Sequence, residues 1–164
     1  MKKYIFEAIN ENIKLLSQNK SSYSIGIIKV VNILFNATKK NNTIFWAGNG
    51  GSAADCQHMA AELVGRFEKE RPPINSISLT TDTSALTAIS NDYGYENVFS
   101  RQLKAIGKKN DVIIAISTSG NSKNLIKVLQ VAKKLKIKSV ALLGNNGGKL
   151  KKFADYSIIV NSKK

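Results

Sequence analysis

The segment DVIIAISTSGNSKNLIKVLQVAKKLKIKSVALLG (111–144) decides the fold class. A short apolar run, 111–117, is followed by a turn rich in glycine and hydroxyl residues, a helical pattern over 122–135, and a second apolar run, 138–144. Apolar runs without polar alternation suit parallel strands that are covered on both faces. The segment is therefore a β-α-β unit, and it predicts an α/β fold built on a parallel sheet.

The same alternation extends through most of the chain. Three further apolar runs predict strands: TIFWAG (43–48), NSISLTT (75–81) and DYSIIV (155–160). Helical patterns lie between the strands at 52–67, 83–89 and 97–106, and two opening helices are predicted at 3–18 and 24–39. Because ligands of such sheets bind beyond the carboxyl ends of the strands, functional residues are expected just after each strand.

Length and composition exclude several classes of protein. The 164 residues fit one domain, no run is long enough to span a bilayer, and the N-terminus lacks the apolar core of a signal peptide. With Cys56 as the single cysteine, no internal disulfide can form, so we expect a cytoplasmic protein.

The chain carries a formal net charge of +14, which is concentrated in its last quarter. Residues 123–164 contain 11 lysines and one acid. Such an excess can attract a polyanion, but these lysines are scattered among asparagines rather than arranged in a motif. We therefore do not expect nucleic acid or a membrane as a partner.

The segment AGNGGSAAD (47–55) follows the first predicted strand. Its glycines, Gly48, Gly50 and Gly51, allow a tight turn and close approach to a ligand, and Ser52 is predicted to be the N-cap of the next helix. The N–H groups and dipole of a helix start favour an anion. The segment fits either an anion site or a glycine turn with an ordinary cap.

The segment STSGNSKN (117–124) follows the third strand in the same way. Four hydroxyl residues surround one glycine at this strand-to-helix junction: Ser117, Thr118, Ser119 and Ser122. An ordinary helix start needs one capping hydroxyl. The excess of hydroxyls predicts a phosphate site.

The predicted helix after Ser52 carries His58 and Glu62, which share one helical face because they are four residues apart. This pair can ligate a divalent metal, act as acid and base, or form a local hydrogen bond. Asn91 and Asp92 precede Gly94 and are either turn residues or ligands for sugar hydroxyls. Cys56 faces elsewhere on the helix and is predicted to be a small packed residue.

Three segments together resemble the sugar isomerase (SIS) domain family, and in particular its phosphoheptose isomerase branch. They are AGNGGSAADCQHMAAELVGRF (47–67), LTTDTSALTAISNDYGYENVFSRQ (79–102) and DVIIAISTSGNSKN (111–124). The resemblance implies one SIS domain over 1–164, with N-terminal helices over 1–40 and an α/β core over 43–160. It implies a three-layer sandwich with a five-stranded parallel sheet in flavodoxin-like strand order.

The resemblance also implies a function. Sedoheptulose 7-phosphate would be converted to D-glycero-D-manno-heptose 7-phosphate through an enediol, for lipopolysaccharide core or capsule synthesis. A cytoplasmic homotetramer with sites at subunit interfaces and one zinc ion per subunit is implied as well.

Several residues match the family's functional positions. Asn49, Gly50, Gly51 and Ser52, with Asn91 and Asp92, match substrate contacts, while Ser117, Thr118, Ser119 and Ser122 match the phosphate cradle. His58 and Glu62 match two zinc ligands, and Glu62 also matches the catalytic base.

The sequence departs from the family pattern after its last predicted strand. The family has a further helix there, whose glutamine and histidine complete the zinc site and whose histidine is the general acid. This sequence ends at NSKK (161–164), so none of its residues can take these roles. We expect either a shortened form of a longer isomerase or a variant with an incomplete zinc site and one uncovered sheet face.

Two other functions stay open at this point. One is a non-catalytic SIS-domain adaptor that binds sugar phosphates or the replication initiator DnaA, against which the acidic Glu62 argues. The other is a SIS enzyme for arabinose 5-phosphate or N-acetylmuramic acid 6-phosphate, which the spacing of the motifs fits less well.

Overall fold

A computed structural model describes residues 1–162 of the chain. Helices and strands alternate after a long first helix. In chain order the elements are α1 Lys2–Thr38, β1 Ile44–Gly48, α2 Gly51–Val64, β2 Ser76–Ser78, α3 Thr83–Tyr93, a 3-10 turn Tyr95–Asn97, α4 Val98–Ile106, β3 Val112–Ser117, α5 Lys123–Leu135, β4 Lys138–Gly144, a 3-10 turn Leu150–Lys152 and β5 Tyr156–Val160.

The five strands form one parallel sheet in the order β2-β1-β3-β4-β5. This order is the flavodoxin-like one and confirms the predicted fold class. Since all five strands run in the same direction, every loop that follows a strand lies at the same edge of the sheet. We call this the carboxyl edge, and the opposite edge the amino edge.

Side chains that alternate along the strands build a core on each face of the sheet. From β3, Ile113 and Ala115 pack under α3, α4 and α5, together with Phe99. Val112 and Ile114 point to the other face. There α1 and α2 cover them with the residues Ala37, Cys56 and Ala60. The result is the predicted three-layer arrangement.

The first helix differs from our prediction of two separate helices. α1 is continuous over 37 residues, because the segment around residues 19–23 contains neither proline nor glycine. Its polar side chains bond back to the helix instead of breaking it: Asn19 Nδ2 donates to the Leu15 carbonyl at 2.8 Å, and Ser22 Oγ to the Asn19 carbonyl at 2.9 Å. Across residues 1–162, no helix combines the length and apolarity that crossing a bilayer requires.

An apolar groove lies on the α1 face of the sheet near the carboxyl edge. Its volume is about 520 Å³, and Ile116, Leu142 and Ile158 line its floor beside Ile27 of α1. Part of this sheet face is therefore open among the described residues.

Gly26 provides a test of how α1 packs on β5. An added Cβ would lie 3.4 Å from Tyr156 Oη and 3.5 Å from Ile158 Cγ1, which is ordinary contact. Gly26→Ala is therefore expected to raise the free energy of unfolding by about 0.5–1 kcal/mol, because alanine loses less backbone entropy in a helix.

The larger Gly26→Leu side chain has no such room and should lower the free energy of unfolding by about 1–3 kcal/mol. Urea denaturation at one fixed protein concentration measures both variants. A destabilised Gly26→Ala variant would contradict the packing of α1 on β5.

Candidate functional site

The carboxyl edge gathers the loops in which the sequence placed most candidate residues. β1 and β3 are neighbours in the sheet, and Gly48 at the end of β1 is paired with Ile116 near the end of β3. The glycine loop after β1 and the hydroxyl-rich segment after β3 are therefore adjacent. We call residues 117–122 the phosphate loop.

The phosphate loop is a compact turn that leads into α5. Gly120 N donates to Ser117 Oγ at 3.1 Å, and Asn121 N donates to Ser119 Oγ at 3.2 Å. The amides in the first turn of α5 have no intrahelical acceptors and carry the positive end of the helix dipole. Ser122 is the N-cap residue of α5, but its side chain makes no capping hydrogen bond, which leaves this hydroxyl for a ligand. Thr118 and Ser119 are exposed.

The backbone of residues 147–150 packs against the phosphate loop. Gly120 has φ +65°, and a Cβ there would lie 2.3 Å from the Gly147 carbonyl oxygen. The Gly120 carbonyl accepts a hydrogen bond from Leu150 N at 2.8 Å. Only glycine combines this conformation with such close contact.

The loop after β1 starts α2 differently from our prediction. The N-cap is Gly50 with φ +56°, not Ser52, and α2 begins at Gly51. The Gly50 carbonyl accepts from Ala53 N at 3.0 Å, and Ser52 lies within the first turn. The shift arises because Gly48 has no side chain: a Cβ there would lie 2.6 Å from the Ser52 carbonyl oxygen, so the turn closes earlier than a serine cap would allow.

Asn49 stands at the centre of a hydrogen-bond network that the sequence analysis missed. Its Nδ2 donates to Asn124 Oδ1 at 3.0 Å, and its Oδ1 accepts from Asn124 Nδ2 at 2.8 Å and from Tyr95 Oη at 3.0 Å. Asn124 is only 3% exposed. The one sequence signal that could have drawn attention to Asn124 is an amide within the apolar stripe of α5.

Asn91 and Asp92 lie in the last turn of α3 rather than in a turn after it. Both are exposed, and Asn91 Nδ2 donates to Asp92 Oδ1 at 2.9 Å. Tyr95, which contacts Asn49, follows them closely. The end of α3 therefore flanks the glycine loop at the carboxyl edge.

His58 and Glu62 form the pair that their spacing predicted. His58 Nε2 and Glu62 Oε1 are 3.0 Å apart, with side chains 73% and 33% exposed. They open onto a groove of about 470 Å³, to which Arg66 and Arg71 contribute. We call it the carboxylate groove.

The carboxylate groove lies far from the phosphate loop. The carbonyl of Leu63, next to Glu62, accepts from Ile74 N at 3.0 Å, and Ile74 precedes β2 by two residues. Glu62 therefore lies at the amino edge, about 16 Å along α2 from Gly51 at about 1.5 Å per residue. The structure brings together the predicted residues of the carboxyl edge, but it places His58 and Glu62 away from them.

The described residues do not form a complete zinc site. Catalytic zinc in proteins usually has three protein ligands and structural zinc has four. Within residues 1–162, no third histidine, cysteine, aspartate or glutamate joins His58 and Glu62. Cys56 is fully buried, and this burial, with a smaller contribution from Asp55, raises the pKa of its thiol to about 12. This confirms that Cys56 is a packed residue.

Comparison with known proteins identifies the family. The SIS domain model matches residues 7–144. The chain therefore belongs to the SIS-domain family. Within it, the chain is 52% identical to a phosphoheptose isomerase of Sulfurimonas denitrificans, over 99% of this chain and 84% of that protein. These values place it among the phosphoheptose isomerases.

Two further comparisons agree. A phosphoheptose isomerase of Aquifex aeolicus is 52% identical over 85% of this chain and 73% of its own length. The solved structure of phosphoheptose isomerase GmhA from Neisseria gonorrhoeae superposes with a TM-score of 0.92 at 35% identity, covering 99% of this chain and 87% of that one. The resemblance stated from the sequence is confirmed.

Gly120 and Gly51 form a matched pair for testing the phosphate loop. Gly120→Ala should lower the free energy of unfolding by about 2–4 kcal/mol, because it adds both left-handed strain and overpacking. At Gly51, which starts α2, an added Cβ meets nothing within 4 Å, so Gly51→Ala should leave stability nearly unchanged. Thermal and urea unfolding measure both. Equal stabilities of the two variants would contradict the close contact at Gly120.

Proposed function

We propose that the chain interconverts sedoheptulose 7-phosphate and D-glycero-D-manno-heptose 7-phosphate through an enediol. The observation that carries this proposal is the phosphate loop at the start of α5, in a chain 52% identical to a phosphoheptose isomerase. Family membership favours this reaction over the adaptor and the other sugar substrates that the sequence left open.

The carboxyl edge would bind the phosphate and the sugar hydroxyls of the substrate, which do not take part in the proton transfer. Ser117, Thr118, Ser119 and Ser122, with the first amides of α5, are the proposed phosphate ligands. The sugar hydroxyls would meet the adjoining loop and helix end, through Asn49, Gly50, Gly51, Ser52, Asn91 and Asp92. Binding both ends fixes the geometry for proton transfer.

Glu62 is the proposed base of the proton transfer. Its carboxylate would take a proton from the carbon next to the carbonyl and return it to the carbonyl carbon, while the hydroxyl proton passes to the former carbonyl oxygen, so that aldose and ketose are exchanged through the enediol. The half-buried Glu62 side chain bonds His58 through one carboxylate oxygen, which leaves the other oxygen for this task.

The distance between Glu62 and the phosphate loop supports a site shared by two subunits. Glu62 lies at the amino edge, and the phosphate loop at the carboxyl edge of the same chain. A rise of about 16 Å between the two ends of α2 exceeds the length of a seven-carbon sugar phosphate. We therefore propose that the phosphate loop of one copy faces the Glu62 of another.

The surface of α1 supports the same assembly. Its N-terminal half exposes large apolar side chains at a spacing of three or four residues: Ile5, Ile9, Ile13 and Leu16. Such a stripe on an isolated helix marks a protein interface. A homotetramer in which α1 helices pack together would bury it.

Four finer expectations rest on the resemblance alone. Zinc would take His58 and Glu62 as two of its ligands and would polarise the substrate oxygens. The heptose product would supply lipopolysaccharide core or capsule synthesis, and the enzyme would be cytoplasmic. We propose that residues 1–164 act as one SIS domain.

Turnover by a Glu62→Gln variant tests the proposed reaction. We expect the conversion of sedoheptulose 7-phosphate to fall about 100-fold to 10,000-fold, because the amide cannot accept the proton. Affinity for the sugar phosphate, measured by calorimetry, should change little. Glu70→Gln, the same change at an exposed carboxylate, should keep full turnover.

The assay is run with added zinc and with a chelator, so that it also tests the metal. Retained turnover in Glu62→Gln would refute its role as the base. A folded wild-type chain that binds the sugar phosphate but does not convert it under either condition would refute the proposed activity of this chain.

The oligomer is tested by sedimentation. We expect a species of four times the 17.9 kDa of one chain. Ile13→Glu should shift it to smaller species because it places a charge in the apolar stripe, whereas Asn10→Glu on the same helix should not. A wild-type monomer at micromolar concentration would contradict the proposal.

A further inference from the structure

We infer that Asn124 is a positioning residue, which holds the Asn49 amide in the one orientation that presents an N–H group to the substrate. This inference rests on the proposed function, since it concerns the same site. It adds a residue that lies outside the phosphate loop and that does not itself reach the sugar.

The two amides form a closed reciprocal pair. Asn124 Nδ2 donates to Asn49 Oδ1 at 2.8 Å, and Asn49 Nδ2 donates to Asn124 Oδ1 at 3.0 Å. Asn124 Oδ1 also accepts from Leu125 N at 2.9 Å, which ties its side chain to the start of α5. The amide plane of Asn124 is thereby fixed by its own helix.

This pairing determines which hydrogen-bonding groups of the Asn49 side chain remain free for a ligand. Its Oδ1 already accepts two hydrogen bonds, from Asn124 Nδ2 and from Tyr95 Oη at 3.0 Å. A carbonyl oxygen has two lone pairs, and an amide nitrogen has two hydrogens. Asn49 therefore has its acceptor filled and one N–H free. It can donate to an oxygen of the sugar, but it cannot accept from a sugar hydroxyl.

Burial gives this arrangement its strength. Asn124 is 3% exposed, whereas Tyr95, the other partner of Asn49, is 55% exposed. A hydrogen bond shielded from water is stronger and more costly to leave unmade. Asn124 is thus the main constraint on Asn49, and Tyr95 the weaker one.

The pair also joins the two halves of the carboxyl edge. Asn49 lies in the loop after β1, and Asn124 lies in α5, directly after the phosphate loop. The hydrogen bonds between them set the separation of the sugar-binding loop from the phosphate loop. A loss of the pair should therefore change the separation of the two loops and lower kcat/KM.

Asn124→Asp is the variant that tests this most sharply. It keeps the shape and the acceptor for Leu125 N, removes the Nδ2 donor, and places a carboxylate in the first turn of α5, where the helix dipole favours it. The oxygen that replaces Nδ2 then faces Asn49 Oδ1, and turning the Asn49 amide over only brings its Oδ1 against the other carboxylate oxygen. Asn49 must therefore move away. We expect kcat/KM for sedoheptulose 7-phosphate to fall about 10-fold to 100-fold, and Tyr95→Phe to have a smaller effect.

A double-mutant cycle separates positioning from a general structural effect. In an Asn49→Ala background, Asn124→Asp should lower kcat/KM by less than a further twofold. The reason is that Asn124 acts through the Asn49 amide, which this background already lacks. Losses in kcat/KM that multiply in the double variant would overturn the inference. Asn75→Asp makes the same chemical change at an exposed asparagine of the amino edge and should leave kcat/KM unchanged.

A readout without substrate keeps the inference separate from the proposed function. In Asn124→Asp, the amides of residues 48–54 should exchange hydrogen about 10-fold faster than in the wild type, and those in Asn75→Asp should not. Unchanged exchange would overturn the inference even if the isomerase activity is found. Faster exchange in a chain without heptose isomerase activity would support the positioning role while refuting the proposed reaction.

Discussion

The parallel direction of all five strands is the constraint on which the rest of the structure depends. It places every loop after a strand at the carboxyl edge, where β1 and β3 are neighbours. α2 and α5 each follow one strand and lead directly into the next, so each runs back from the carboxyl edge to the amino edge. The start and the end of each of these two helices therefore lie at opposite edges of the sheet.

This constraint explains both the phosphate loop and its separation from Glu62. The loop lies where α5 starts, at the positive end of the helix dipole, where an anion is favoured. Glu62 lies where α2 ends, beside the entry to β2. If Glu62 is the base and the phosphate loop binds the substrate, as we propose, the two can meet only if a second copy supplies one of them. The apolar stripe of α1 offers a means of holding that copy.

Much of the fold was predictable because its signals are local. The first four strands are runs that end in glycine or hydroxyl residues, the fifth is an apolar run that ends at Val160, and the structure confirms all five. The errors have physical reasons too. The polar segment of α1 was interpreted as a break, but its side chains bond back to the helix. Ser52 was predicted as a cap from its type alone, whereas close contact at Gly48 moves the cap to Gly50.

The candidate site was predictable only in part. The hydroxyls of the phosphate loop and the spacing of His58 and Glu62 are visible in the sequence. The pairing of Asn49 with Asn124 joins residues 75 positions apart and depends on two strands being neighbours, which no local pattern encodes. The distance between Glu62 and the phosphate loop likewise follows from the direction of α2, not from its sequence.

Mixing two inactive variants tests the shared site most directly. One variant carries Glu62→Gln, and the other carries Ser119→Ala with Ser122→Ala in the phosphate loop. If each site takes its base from one copy and its phosphate loop from another, random mixing restores both in about a quarter of the sites. Co-expressed variants should then recover about a quarter of the wild-type turnover. A mixture no more active than its separate components would contradict a site built from two subunits.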